Sequence, residues 1–348
     1  MSEEIPKLNV TLRDIARTLG ISHVTVSLAL RDAPHIPSKR RQQIREKAKE
    51  MGYRPNPMAT ALGQRRFIGK ARAVAAELAW IHYREQDAED IRRFKEFELY
   101  WKGASETANW FGYNLEEFVC NAEFSLPRLE SVLLARGVHG ILIPPHAKLP
   151  PEWDSFHWDH FSVIRFGHSI SKPRVHVVTS DQISNSLLAH SQIRSLGYER
   201  IGYVSNRFAS TRHKAGVLMA QSNLEAKSQV QPLIFETHEN CPENLEKLAP
   251  WLKKAKPDAI LTDLPSVREM LKTLGYQVPK DLGLAVFSVL DGNADSGIYQ
   301  NPDEIGKAAV EMLISLINHN HTGIPKICRE LLIEGEWVDG TTLPRRNS

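Results

Sequence analysis

The N-terminal end of the chain carries the side chains best suited to meeting another molecule. Residues 1–66 hold 13 Lys/Arg against 6 Asp/Glu, whereas the remaining 282 hold 31 against 35. A basic head on a mildly acidic body suits a chain that meets a polyanion at one end. Within the head, Val24 and Leu28 stand four residues apart, beside His23 and Ser27. At helical spacing they point away from Val26, Ala29 and Leu30, which can face a core. Two outward apolar residues are out of place on a solvated helix. They suit a helix entering a DNA major groove, where an apolar side chain meets a thymine methyl. A second group is Met58, Ala59 and Leu62, flanked by arginines. It forms an apolar face that could wedge into a minor groove.

Local signals lay out short helices around these residues. Thr11 as N-cap, with Asp14 three residues on, is close to a capping box for a helix carrying Ile15, Ala16 and Leu19 inward. Gly20 permits the positive φ of a tight turn. Ser22 caps a second helix, His23 to about Leu30. A third helix is expected after Pro37, with Ser38 as cap, burying Ile44, Ala48 and Met51 and stopping at Gly52. In the linker that follows, Asn56 suits an N-cap and Pro57 the first position of a short helix to Leu62. One and a half turns are not stable alone, so this helix must fold against something.

These residues resemble the DNA-binding head and hinge of the LacI/GalR family of bacterial transcription regulators. The match runs through Val10-Thr11-Leu12-Arg13-Asp14-Ile15-Ala16, Gly20-Ile21-Ser22 and Thr25-Val26-Ser27. It continues at Ile44, Ala48, Tyr53-Arg54-Pro55-Asn56 and Leu62. The resemblance implies a helix-turn-helix in the major groove and a hinge helix that orders on operator DNA. Leu62 then matches the family's lever leucine, with Ala59 as its small neighbour. Candidate DNA contacts are Thr11, Ser22, His23, Val24, Thr25, Ser27, Leu28, Arg31, Tyr53, Asn56, Met58, Ala59 and Leu62. One departure is Leu28, where the family usually carries an arginine that reads guanine.

The body alternates strand and helix patterns. Short apolar runs fall at 73–81, 115–119, 140–143, 161–166, 175–179, 201–205, 233–235, 259–262 and 284–290. Helical patterns fall at 91–110, 126–135, 184–196, 215–226, 244–254, 266–274 and 303–318. This alternation predicts an α/β fold of doubly wound parallel sheets, and its length calls for two lobes. Val138–Pro144, Ser195–Val204 and Tyr299–Pro302 also resemble the family's core, a two-lobed fold similar to periplasmic sugar-binding proteins. The expected organisation is a three-helix head over 8–53, a hinge over 54–66 and a core over 67–343. By resemblance the first lobe takes about 67–172 and 301–324, and the second about 173–300 and 325–343.

Ligands of open α/β sheets sit at the carboxyl ends of strands. That nominates Trp80, His82, Arg165, Asp181, Arg212, His213, Asp263, Asp291 and Tyr299 as effector contacts. The sequence departs from the family here. His213, three residues before Gly216, stands where the family has an arginine. The family's Asn-Asp pair is reduced to Asp263-Leu264-Pro265.

Other chemistry finds little support. The motifs 157–160 and 319–321 offer histidines without a third ligand, and no phosphate-cradling glycine loop or nucleophile elbow is present. No enzymatic activity, metal or cofactor is expected. With 42% hydrophobic and 24% charged residues the chain is globular, and no apolar run approaches the ~18 residues of a membrane span. Cys120, Cys241 and Cys328 are far apart, and residues 1–6 lack an apolar signal stretch, which fits a cytoplasmic protein. The expectation is a homodimeric DNA-binding regulator, a repressor on palindromic operator DNA. Its affinity would be set by a small polar effector of the sugar class between the lobes, with no membrane partner. The alternative is a small-molecule-binding or carbohydrate-metabolising α/β protein whose head is incidental.

Overall fold

A computed structural model of the chain describes residues 10, 12–30, 36–51, 76–83, 94–121, 124–145, 153–207 and 211–346. The head contains α1 (Leu12–Leu19), α2 (His23–Leu30) and α3 (Ser38–Glu50). Its core is Ile15, Ala16, Val26, Ala29, Ile36, Ile44 and Ala48, all buried. Gly20 has φ +66°, a conformation that lets α1 turn sharply into α2. Pro37, not Ser38, occupies the N-cap of α3, and no side chain caps it. Proline's fixed φ leaves Ser38 inside the first turn.

The body has two sheets. In the first, strands β1 (Ala76–Tyr83), β2 (Tyr113–Cys120), β3 (Gly140–Ile143), β4 (Ser162–Phe166), β5 (His176–Ser180) and β11 (Glu330–Ile333) lie in the order β11-β5-β4-β3-β1-β2, all parallel. The second sheet is built from β6 (Ile201–Asn206), β7 (Leu233–Phe235), β8 (Ala259–Thr262), β9 (Gly283–Val286), β10 (Gly297–Tyr299) and β12 (Glu336–Val338). Its order is β12-β10-β9-β8-β6-β7, with only β12 antiparallel. Strands β3, β4, β5, β8 and β9 are buried along their whole length. That is why they read as continuous apolar runs rather than alternating ones.

Helices cover both sheets. In the first lobe, α4 (Lys95–Trp110) and α10 (Pro302–Asn318) pack on one face and α5 (Leu126–Ala135) on the other. The helices α4 and α10 approach so closely that a Cβ on Gly306 would collide with the Tyr100 carbonyl. In the second lobe, α6 (Gln182–Ser195) and α7 (Thr211–Ser222) lie on one face, α8 (Pro242–Ala255) and α9 (Val267–Thr273) on the other.

The lobe division differs from the expected one. Strands β5 and β11, assigned from sequence to the second lobe, pair in the first sheet, Val177 opposite Glu330. The chain therefore crosses between lobes near 181, 300 and 334. Side-chain amides hold these crossings together. Asn185 Nδ2 donates to Ser180 Oγ at 2.7 Å, and its Oδ1 accepts from Gly335 N at 2.8 Å. Asn301 Nδ2 donates to the Glu334 carbonyl at 2.9 Å.

Candidate functional site

Two sites emerge, one in the head and one between the lobes. In the head, Ser22 caps α2: Thr25 N donates to Ser22 Oγ at 3.0 Å, and the two hydroxyls are 2.8 Å apart. Ser22 and His23 are exposed at the start of α2. Side chains at a helix N-terminus are well placed to reach base edges. Leu28 is half-buried and packs against the head core, so it is not the wholly outward residue that periodicity suggested. Thr11, Arg31, Tyr53, Asn56, Met58, Ala59 and Leu62 lie outside the described residues, as does the expected hinge helix. So do the side chains of Val24 and Ser27.

Between the lobes lies a cavity of about 660 Å³. That is the size of a small-molecule site. From the first lobe come Phe94, Glu96 and Phe97, at the start of α4. From the second come His213 on α7, Asp263 after β8, and Phe287, Ser288 and Asp291 after β9. Gln300 at a crossing completes this side. The walls are apolar and aromatic, with a few convergent polar groups.

His213 is 5% exposed and lies flat on Phe287, ring centroids 4.0 Å apart and planes 8° from parallel. Its Nδ1 is 3.7 Å from Asp263 Oδ2, beyond hydrogen-bond reach, and neither ring nitrogen has a hydrogen-bond partner. Asp263 is anchored from behind. Ser205 Oγ donates to its Oδ1 at 2.7 Å and Tyr203 OH to its Oδ2 at 3.0 Å. Burial, reinforced by the Asp263 charge, pushes the Tyr203 phenol well above its ordinary range.

Across the cavity, Asp291 reaches from the second lobe to the first turn of α4. It accepts from Lys95 N at 2.8 Å and Glu96 N at 3.0 Å. A carboxylate is favoured there by the unpaired amides and the helix dipole. Glu96 accepts from Gln300 Nε2 at 2.9 Å. Burial pushes the Glu96 carboxyl up to about 7, and the Asp291 charge adds to this against hydrogen bonds from Ser288 and Gln300.

Of the nine nominated effector residues, the structure brings His213, Asp263 and Asp291 to this cavity. The others go elsewhere. Trp80 is a core residue, 5.4 Å from the Trp101 ring and 5.1 Å from that of Phe166, because β1 runs on to Tyr83. His82 is buried with its Nδ1 3.6 Å from Glu117 Oε1. Arg165 is buried, its Nη1 3.4 Å from the Pro173 carbonyl, and burial lowers its pKa. Asp181 caps α6, accepting from Ser184 N at 3.0 Å. Arg212 faces Glu330 at 3.8 Å, and Tyr299 OH donates to Asp303 at 3.1 Å. None of these six lines the cavity. Phe94, Glu96, Phe97, Phe287, Ser288 and Gln300 were not singled out from sequence. Phe94 and Phe97 read as one apolar helix face, and Phe287 and Ser288 as strand continuing to residue 290.

The other constellations resolve into structural pairs. His157 bonds Glu130 at 2.8 Å, and His319 Nδ1 donates to the Ser315 carbonyl at 2.7 Å. Among the described residues, no cluster of His, Cys, Asp and Glu could hold a metal ion, and no helix is long and apolar enough to cross a membrane.

The chain thus joins a helix-turn-helix head to a two-lobed body with a cavity between its sheets, the architecture of DNA-binding regulators. Comparison with known proteins agrees. Residues 11–56 match the family described as "Bacterial regulatory proteins, lacI family", and residues 191–342 match "Periplasmic binding protein-like domain". Over its head the chain is thus similar to the lacI family of bacterial regulatory proteins. It is 24% identical to the HTH-type transcriptional regulator PtxS of Pseudomonas plecoglossicida, covering 98% of each chain. Its fold is similar to that of a transcriptional regulator CelR–cellobiose complex (TM-score 0.56, 16% identity, 96% of this chain and 100% of that one). It is similar too to the lac repressor dimer bound to operator and the anti-inducer ONPF (TM-score 0.54, 16% identity, 97% and 99%).

Proposed function

We propose that this chain binds a palindromic operator as a homodimer, represses transcription there, and changes operator affinity when a small polar ligand of the carbohydrate class enters the inter-lobe cavity. The observation that carries this is the cavity itself. Its walls come from both lobes, and Asp291 of one lobe caps a helix of the other. A ligand that alters lobe closure therefore shifts the first lobe, through which the chain runs from the head. In a dimer that motion resets the spacing of two hinge segments. A coupling of ~1–3 kcal/mol is typical and switches occupancy several-fold. A relative solved as a cellobiose complex and another as an operator-bound dimer support the carbohydrate and dimer readings.

On DNA, the reading assigns Ser22, His23, Val24, Thr25, Ser27 and Leu28 to half-site contacts. Leu62, beside Met58 and Ala59, would wedge a flexible pyrimidine–purine step at the centre, CG by family resemblance. Filter binding over a salt series tests it. Leu62→Ala should weaken binding to the specific site far more than binding to random duplex, because opening a base step matters only at the specific site. Equal losses on both would refute the wedge. Leu28→Arg should shift selected sites toward guanine at one symmetric position, at about 1–3 kcal/mol of discrimination. An unchanged consensus would remove Leu28 from the readout.

A further inference from the structure

The cavity wall is acidic in an unusual way. Glu96, Asp263 and Asp291 all line it, and among the described residues no lysine or arginine does. Among the described residues, none of the three has a lysine or arginine as ion-pair partner. Asp263 is held by two neutral hydroxyls and stands 3.7 Å from His213. Asp291 is held by two backbone amides, and Glu96 by the Gln300 amide. The arginines nominated from sequence as anion contacts are occupied elsewhere. Arg212 faces Glu330, and Arg165 lies buried beside Pro173.

Carboxylates partly withdrawn from water without a cationic side chain beside them carry a cost, and either a proton or a cation relieves it. Glu96 shows this pressure, its carboxyl pushed up to about 7 by burial. The remaining walls suit a cation as well. Phe94 and Phe97 line the cavity, and aromatic faces attract an ammonium. His213, nine-tenths buried and without a hydrogen bond at either nitrogen, supplies a further polar group on the same wall.

We propose that the ligand of the inter-lobe cavity carries a protonated amine, held against Asp263 and Glu96 with its carbon skeleton against the ring of Phe97. This rests on the reading that the cavity is the effector site, and it narrows that ligand from a polar molecule to an amino-substituted one, such as an amino sugar. Anionic ligands, including sugar acids and sugar phosphates, are rejected by the same three carboxylates. A neutral sugar of equal shape binds more weakly, since it leaves the carboxylates without a counter-charge.

The test is calorimetric titration of the full chain with matched triples that share one skeleton. Glucosamine, glucose and glucuronate form one triple, and galactosamine, galactose and galacturonate a second. Tyramine, 4-ethylphenol and 4-hydroxyphenylacetate form a third. In at least one triple the amine should bind about ten-fold or more tightly than the neutral member, the scale of one charge-assisted hydrogen bond, with the anion weakest. Asp263→Asn should abolish that preference. Glu96→Gln, which keeps an acceptor for Gln300, should reduce it, so the result does not hang on the folding of one variant. If a neutral or anionic member binds as tightly as its amine in every triple that binds, the amine assignment is overturned and the effector site stands. If no member of any triple binds, the amine assignment is overturned and the effector reading loses its support with it.

Discussion

Replacing Glu96 with glutamine should stabilise the protein in alkaline buffer and have little effect in acid. The carboxyl rises from 4.5 to about 7 because it is buried beside Asp291, with Ser288 and Gln300 donating to it and Tyr100 and Tyr299 near its charge. A folded-state pKa above the unfolded value means the acid form belongs to the fold. The contribution is present in full below 4.5 and is lost as pH rises through about 7. At about 1.4 kcal/mol per pH unit, the ionised group costs at most about 3 kcal/mol near pH 8.5 and under about 1 kcal/mol near pH 5. Glutamine keeps the acceptor for Gln300 and removes the charge. Thermal unfolding should show Glu96→Gln raising Tm by roughly 6–12 °C near pH 8.5, given ~2–4 °C per kcal/mol for a body this size. Near pH 5 the rise should shrink to a few degrees. An equal shift at both pH values, or a fall in Tm near pH 8.5, would refute the buried, repelled carboxylate.

Three further outcomes follow from the packing. Ser22→Ala removes the cap accepted from Thr25 N and should cost about 1 kcal/mol, read as earlier loss of helical signal from the head. Gly306→Ala drives a methyl into the Tyr100 carbonyl and should cost roughly 1–3 kcal/mol in denaturant unfolding, because two backbones rather than flexible side chains must part. Unchanged stability there would mean the helices are not so close. Asn185→Leu leaves Gly335 N without its buried acceptor and Ser180 Oγ without its donor, at about 2–3 kcal/mol. It should also raise protease cleavage near the lobe crossings, and an unchanged digest would deny Asn185 its role there.

The head was legible because its signals are local. The turn glycine, the Ser22 cap and the spacing of Ile15, Val26 and Ile44 all act within a few residues of one another. Leu28 is only half outward, because periodicity gives a direction but not the neighbours that partly cover it. The α/β alternation and most strand positions were equally plain, since buried parallel strands are continuous apolar runs. The lobe boundaries were not, because β5 and β11 pair across about 150 residues and no local pattern carries that register. The cavity failed for the same reason. Glu96 meets Asp291 and Gln300 across some 200 residues, and both its partners and its burial arise only when the lobes come together. Trp80 was expected at a strand end, and two further residues of strand turned it into core. Asp263 reaches the cavity because it follows β8 directly, and His213 because it stands in the first turn of α7, the helix after β6.

In the proposed function the head reads a two-fold DNA site on behalf of a ligand-sensing body. Selection of bound duplexes from a random pool, with the full chain, tests it most directly. Two inverted half-sites flanking a central pyrimidine–purine step should be enriched, with two chains bound per duplex. Enrichment of no sequence, or of a single unpaired half-site bound by one chain, would contradict it.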